Sequence, residues 1–288
     1  MNLLVGTIDG MFSLEDPTQP LIADTTINHI ARDSAGWWAI DGEAQIHHDG
    51  RIVANGPNAA TLNCVLAEDG TTWVGASSAR LYRVDRGELI EDPGFADAPG
   101  RADWYTPWGG PPDVRSMAVD GANTLFVNVH VGGIVRYDDT GPSPTLDMDF
   151  DVHQVIADPS VEGRVLAACA RGLAQSTDGR VFTYRDDGLH APYCRAVTFT
   201  GDTVLVSAST GPRSNQARLY RSDLASGPFE HCRDGLPDWF DDNLDTHCLT
   251  VHDESVYAGN GSQVWRSDDQ GGTWDEIASG LPRITCLA

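Results

Sequence analysis

The side chains best suited to chemistry in this chain are a few arginines, histidines and tryptophans set among many carboxylates. Arg115 follows Asp113 at the end of the run Trp104-Tyr-Thr-Pro-Trp108-Gly-Gly-Pro-Pro-Asp113-Val-Arg115. Trp239 stands in Asp238-Trp239-Phe240-Asp241-Asp242, which leads on to Asp245 and His247. His153 and Arg195 each open an apolar run. Exposed aromatic rings flanked by carboxylates and an arginine suit stacking on a sugar or gripping a peptide. The candidate ligand-binding residues are therefore Trp104, Trp108, Asp113, Arg115, His153, Arg195, Trp239 and His247. The competing reading of Trp104 and Trp108 is a small hydrophobic plug under their own loop.

Catalysis at the same place would draw on His153, His247, Asp113, Asp241 or Asp245 as acid or base, or on Cys194 or Cys248 as nucleophile beside a histidine. No local signature supports a thiol nucleophile, and 42 acidic residues bring carboxylates together by chance. Cys248, Cys286, His29 and Cys64 hold equivalent positions in the repeat described below, a Cys3His set that would suit zinc. Free cysteine also packs as a small hydrophobe, and the expectation is structural packing, with no metal and no cofactor.

What must position these residues is legible as a repeat. A polar pair followed by apolar residues and a turn recurs seven times: Asn28-His29-Ile30-Ala31, Asn63-Cys64-Val65-Leu66, Arg115-Ser116-Met117-Ala118, His153-Gln154-Val155-Ile156, Cys194-Arg195-Ala196-Val197, His247-Cys248-Leu249-Thr250 and Thr285-Cys286-Leu287-Ala288. The mean spacing is about 41 residues, within the ~40–50 typical of propeller blades. A second β-rich segment follows each of five copies, as in Thr72-Trp-Val-Gly75 and Thr203-Val-Leu-Val206. A third alternates in character, as in Arg80-Leu-Tyr-Arg83 and Gln263-Val-Trp-Arg266, and implies one buried face. Four short antiparallel strands per unit, punctuated by Gly, Asp and Pro, predict an all-β, seven-bladed propeller over residues 1–288 as one domain. A β-sandwich is the alternative. Residues 284–288 read as an innermost strand and 3–7 as a second strand, so the two are expected to pair in one blade.

In such a blade the fourth-to-first and second-to-third connections share one face. The long insertions, 87–113, 208–217 and 233–246, fall there, and long ordered loops on a rigid scaffold are where binding usually resides.

Composition narrows the partners. The net charge is -23, and all 19 basic residues are Arg, with no Lys. Like charge opposes both nucleic acid and anionic membrane. The expected partner is a protein or a small molecule, with carbohydrate among the candidates, bound by a monomer. Asp9 interrupts the first apolar run, and the six cysteines form no CxxC pair. The expectation is a cytoplasmic protein with reduced thiols. Acidity with Arg in place of Lys suggests a high-GC, salt-loving host.

One motif carries a family resemblance. Ser267-Asp-Asp269-Gln-Gly271-Gly-Thr273-Trp274 reads S-x-D-x-G-x-T-W and resembles the Asp-box, or BNR repeat, of sialidases, sortilin-type propellers and a photosystem II assembly factor. Degenerate copies stand at Ser176–Phe182 and Ser222–Phe229, where Leu224 replaces the expected Asp. The resemblance implies a turn between third and fourth strands, on the rim away from the ligand face, with no catalytic role. Arg-Ile-Pro, usual in sialidases, is missing. Because no catalytic motif is complete, the expectation is an Asp-box propeller acting as a binding or assembly scaffold, with a glycan-acting hydrolase or lyase as the alternative.

Overall fold

A computed structural model describes residues 3–68, 70–107 and 109–288. Trp108 lies outside the described residues. Among them, runs rich in Val, Ile, Leu, Thr and aromatics form short strands that pair into seven antiparallel sheets of four. The fold is all-β, a seven-bladed propeller with almost no helix. Six sheets are sequential meanders, starting with the strands Ile27–Arg32, Leu62–Glu68, Val114–Val119, Val152–Ala157, Tyr193–Thr200 and Leu249–His252. The seventh joins distant parts of the sequence: Ile284–Leu287 pairs with Leu4–Thr7, which continues to Gly10–Ser13 and Asp16–Ala23. The two segments pair as expected, in a register that sets Val5 beside Leu287 and Gly6 beside Cys286. A Cβ on Gly6 would lie 2.4 Å from Cys286 Sγ and 2.9 Å from Ile27, so only glycine lets these strands close.

By contact density the chain divides into two compact units. One comprises the residues up to Ile27 with Ala168–Leu173 and Tyr184–Ala288; the other comprises Asn28–Ala167 and Ala174–Thr183. The first packs Leu205, Leu219, Phe240, Leu244, Val256, Trp265 and Trp274 into one cluster. The second packs Leu81, Phe95, Val114, Val127, Val129 and Val135, and separately Ile40, Ile46, Leu62, Val65 and Val74. All six cysteines are buried and unbridged.

Aspartates hold the turns. Asp41 accepts from the backbone N–H groups of Glu43 (3.0 Å) and Gln45 (2.8 Å). Asp120 does the same for Ala122 and Thr124 and reaches Gly163 N at 2.8 Å. The short side chain of Asp reaches its own backbone two residues on, which the longer Glu does less well. The turn 267–274 follows this logic between the strands Gln263–Ser267 and Asp275–Ala278. Asp269 accepts from Thr273 N at 2.8 Å, Ser267 Oγ accepts from Gly271 N at 2.8 Å, Gly271 has φ +84°, and buried Trp274 donates to Gly271 O at 3.2 Å. At 222–229, where Leu224 breaks the pattern, Asp223 takes over by accepting from Ala225 N at 2.8 Å.

Candidate functional site

Two side-chain clusters stand at the blade ends where first strands begin and second strands finish, one in each unit. The first is built by the Val114–Val119 and Val152–Ala157 blades. Arg115 is the second residue of the former; His130 directly follows the second strand Leu125–Val129, and its N–H is held by Asp113 O at 2.8 Å. Asp151, in the left-handed region at φ +47°, precedes the innermost strand Val152–Ala157, and His153 is the second residue of that strand. Arg115 Nη1 donates to His130 Nε2 at 3.1 Å. That nitrogen is also 3.1 Å from Asp151 Oδ1, and His153 Nε2 is 3.7 Å from Asp151 Oδ2. His153 is wholly buried. Burial would push the Asp151 carboxyl up, but the hydrogen bond from His130 and the charges of His153, His130 and Arg115 outweigh it and hold it below its ordinary value. Asp113 goes the other way: burial dominates over His130 and Arg115 and raises it.

Among the described residues only His130, Asp151 and His153 bring three metal-capable donors within 4.8 Å of one another. His29 instead accepts at Nδ1 from Val65 N at 3.1 Å, and burial raises the thiols of Cys64 and Cys248. Burial raises Cys194 as well, which leaves that thiol protonated and a poor nucleophile.

The second cluster lines a cavity of about 370 Å³ in the other unit, between Arg195, Pro212–Asn215, Asp241, Asp242, Asp245 and Arg283. Arg195 is ion-paired with Asp245 and stacks over Tyr193 at 5.6 Å. Burial opposes its charge, but Asp245 and Tyr193 more than compensate and raise its pKa. Arg283 pairs with Asp242 at 3.1 Å. Among the described residues, Arg213 and Asp241 carry no ion pair, and both are exposed. The loop forming one wall is firmly anchored. Buried Asn260 donates to Asp242 O and Asn243 O (3.1 and 3.0 Å), Asn243 donates to Gly211 O (3.1 Å), and Phe240 packs edge-on against Trp265. His247, at φ +67°, lies in the same loop and accepts from Leu287 N through its backbone oxygen at 2.8 Å.

The structure thus brings Asp113, Arg115 and His153 together in one unit, and Arg195 beside Asp245 in the other. Trp104 is half-buried against Phe95 at 6.0 Å, with the Arg101 guanidinium 5.4 Å from its ring, so it packs under its own loop. Trp239 is 36% exposed, but the Arg218 guanidinium lies 3.5 Å from its ring centroid and His190 meets it edge-on at 5.1 Å. His130 and Asp151 were not among the expected site residues. A signal for them existed: Asp151 lies two residues before His153 at a first-strand start, and His130 directly follows a second strand.

A larger cavity of about 770 Å³ lies at the opposite blade ends, lined by Trp73, Arg83, Asp92, Tyr137 and Asp138 among others. Its polar groups largely serve each other: Tyr137 donates to Asp92 at 2.6 Å, and Asp92 caps the helical turn Pro93–Ala96 through Phe95 N.

The sequence matches no protein-family model and no curated protein. Solved structures are similar in fold. The extracellular domain of a protein described as a hybrid two component system from B. thetaiotaomicron is 14% identical with TM-score 0.62; the match covers 90% of this chain and 35% of that one. This chain therefore spans about a third of that neighbour. Virginiamycin B lyase from Staphylococcus aureus is 13% identical with TM-score 0.63, over 88% of this chain and 85% of the lyase. An ancestral GH74 enzyme is 12% identical with TM-score 0.60, over 100% and 39%. At these identities the likeness shows the propeller fold and nothing finer.

Proposed function

We propose that the protein is a binding propeller of the Asp-box type that takes a small polar ligand with an acidic group on its long-loop face, at the cavity beside Arg195, Arg213 and Arg283. The observation that carries this reading is the cavity itself. Its volume falls within the usual range for small-molecule sites, about 300–1,000 Å³. Arg195 and Arg283 are held in place by Asp245 and Asp242, and Arg213 presents a guanidinium with no ion partner among the described residues. A planar guanidinium fork fits carboxylate or phosphate in two-pronged fashion, and exposed Asp241 can accept from hydroxyl or amino groups of the same ligand. Buried Asn243 and Asn260 fix the wall in advance, which lowers the ordering cost of binding.

The test is calorimetry or thermal shift with a panel of sugar acids, amino acids and phosphorylated metabolites. A ligand found with the unaltered chain should bind Arg213→Ala roughly 30-fold more weakly, the equivalent of about 2 kcal/mol, with an unchanged melting curve for the free protein. If every such ligand binds Arg213→Ala and Arg195→Ala as it binds the unaltered chain, this reading fails.

A second reading, a hydrolase or lyase acting on a glycan or similar substrate, is favoured by Arg115, His130, Asp151 and His153. An ionised carboxylate between two imidazoles is an acid–base arrangement. Virginiamycin B lyase, of the same fold, has a His→Ala variant that is catalytically inactive.

A further inference from the structure

We infer that His130, Asp151 and His153 form a site for one divalent transition-metal ion of the zinc class, with its remaining coordination positions open toward the long-loop face. The inference is independent of the ligand-binding reading, which uses other side chains; it shares His130, Asp151 and His153 with the second reading, and metal binding is measured without turnover.

The distances carry it. In a tetrahedral zinc site each nitrogen or oxygen lies about 2.0–2.1 Å from the metal, which sets neighbouring donors about 3.3–3.4 Å apart. His130 Nε2 is 3.1 Å from Asp151 Oδ1 and His153 Nε2 is 3.7 Å from Asp151 Oδ2, so each imidazole stands near that spacing from one of the two carboxylate oxygens, and the carboxylate would hold the ion through both. All three donor atoms fall within 4.8 Å of one another. Two imidazoles and one carboxylate suit zinc, cobalt or nickel rather than calcium or magnesium, which prefer oxygen throughout. Three protein ligands leave at least one position for water or a bound anion.

The hydrogen-bond geometry at His130 points the same way. Its Nε2 is 3.1 Å from both a guanidinium donor, Arg115 Nη1, and a carboxylate acceptor, Asp151 Oδ1. Carrying a proton, this nitrogen serves Asp151 and opposes Arg115; without one, it serves Arg115 and sets its lone pair against the carboxylate. A metal ion binds that lone pair and the carboxylate together and moves Arg115 aside, where its charge can hold an anion on the open position. Preorganisation is already present. Asp151 and His153 flank Val152, which is fully buried at the start of an innermost strand, and the His130 N–H is tied to Asp113 O.

The test uses the full chain, stripped with a chelator and titrated with Zn²⁺ by calorimetry and with Co²⁺ by visible absorption. Expected is one ion per chain, with cobalt ligand-field bands of a four- or five-coordinate nitrogen–oxygen site. Asp151→Asn, nearly the same shape, and His130→Gln should each weaken binding about 100-fold or more, while Arg115→Gln binds as tightly or several-fold more tightly. Near-ultraviolet circular dichroism establishes that each variant is folded, and His153→Gln provides a third ligand deletion. Absence of stoichiometric binding by the folded chain would overturn the inference, as would folded Asp151→Asn and His130→Gln variants that bind like the parent. Running the ligand screen above on the same stripped protein keeps the two ideas separable, since Arg213-dependent ligand binding can survive a failure of the metal site.

Discussion

His231 shows how a single side chain reports its surroundings. Burial, helped by the charges of Arg218 and Arg233, lowers its pKa to about 4, and its Nδ1 accepts from Arg233 Nε at 3.1 Å, so the ring is neutral in the fold. An unfolded histidine titrates near 6.5. Between about pH 6.5 and 4 the unfolded chain therefore binds a proton that the folded chain refuses, and stability falls as pH is lowered through that window. His190, lowered by burial and by Arg218, adds in the same direction. In His231→Gln, which keeps an acceptor for Arg233, the loss of melting temperature between pH 7 and pH 5 should be smaller than in the parent; equal losses would remove His231 from the account. Residue-scale chemistry of this kind was only partly visible in the sequence. Arg115, His153 and Arg195 stood out because they lie near the starts of innermost strands, whereas His130 and Asp151 gain their meaning from each other across adjacent blades. Arg213 looked like any loop arginine, since its setting depends on Asp242 and Arg283, 29 and 70 residues further along.

The strands themselves were far more legible. The polar pair at the first-strand start recurs seven times and several blades add a period-two third strand, and these are local signals that need no tertiary information. The spacing placed seven blades correctly and paired Ile284–Leu287 with Leu4–Thr7. Local patterns could not show how closely those strands meet. At Gly6 the backbone lies so near Cys286 and Ile27 that a Cβ would sit at 2.4 and 2.9 Å. Gly6→Val should therefore cost about 1–3 kcal/mol through overpacking, read as a lower melting temperature. Gly50→Ala is a useful comparison, because nothing lies within 4 Å of its added Cβ, although its φ of +78° makes a smaller penalty of its own. A Gly6→Val variant that melts no earlier than Gly50→Ala would mean that the seventh sheet contributes little to stability.

At the scale of the whole molecule the dominant quantity is charge. The chain carries 42 carboxylates against 19 guanidiniums, and many aspartates are fixed in turns by backbone N–H donors, so they cannot move apart to relieve repulsion. Several are also kept ionised by those bonds. Asp138 is lowered to about 2, chiefly by the Thr140 hydroxyl and N–H, and Asp178 and Asp269 are lowered mainly by backbone N–H groups. Salt acts on this charge in two opposing ways. It weakens exposed attractions such as Arg283–Asp242, where the two side chains are 60% and 49% exposed, and pairs of that kind are worth at most about 1 kcal/mol each. It also screens the repulsion among the excess carboxylates, as the Debye length falls from about 10 Å at 0.1 M to about 3 Å at 1 M. With a net charge of -23, the unbalanced part of the charge is repulsive, and screening should win. The melting temperature is expected to rise with KCl, most steeply below about 0.5 M, where the screening length changes fastest. A rise confined to higher concentrations would instead reflect salt exclusion from the surface, which strengthens burial in any protein. A flat or falling curve would show that the turn hydrogen bonds already absorb the repulsion and that the acidity serves solubility alone.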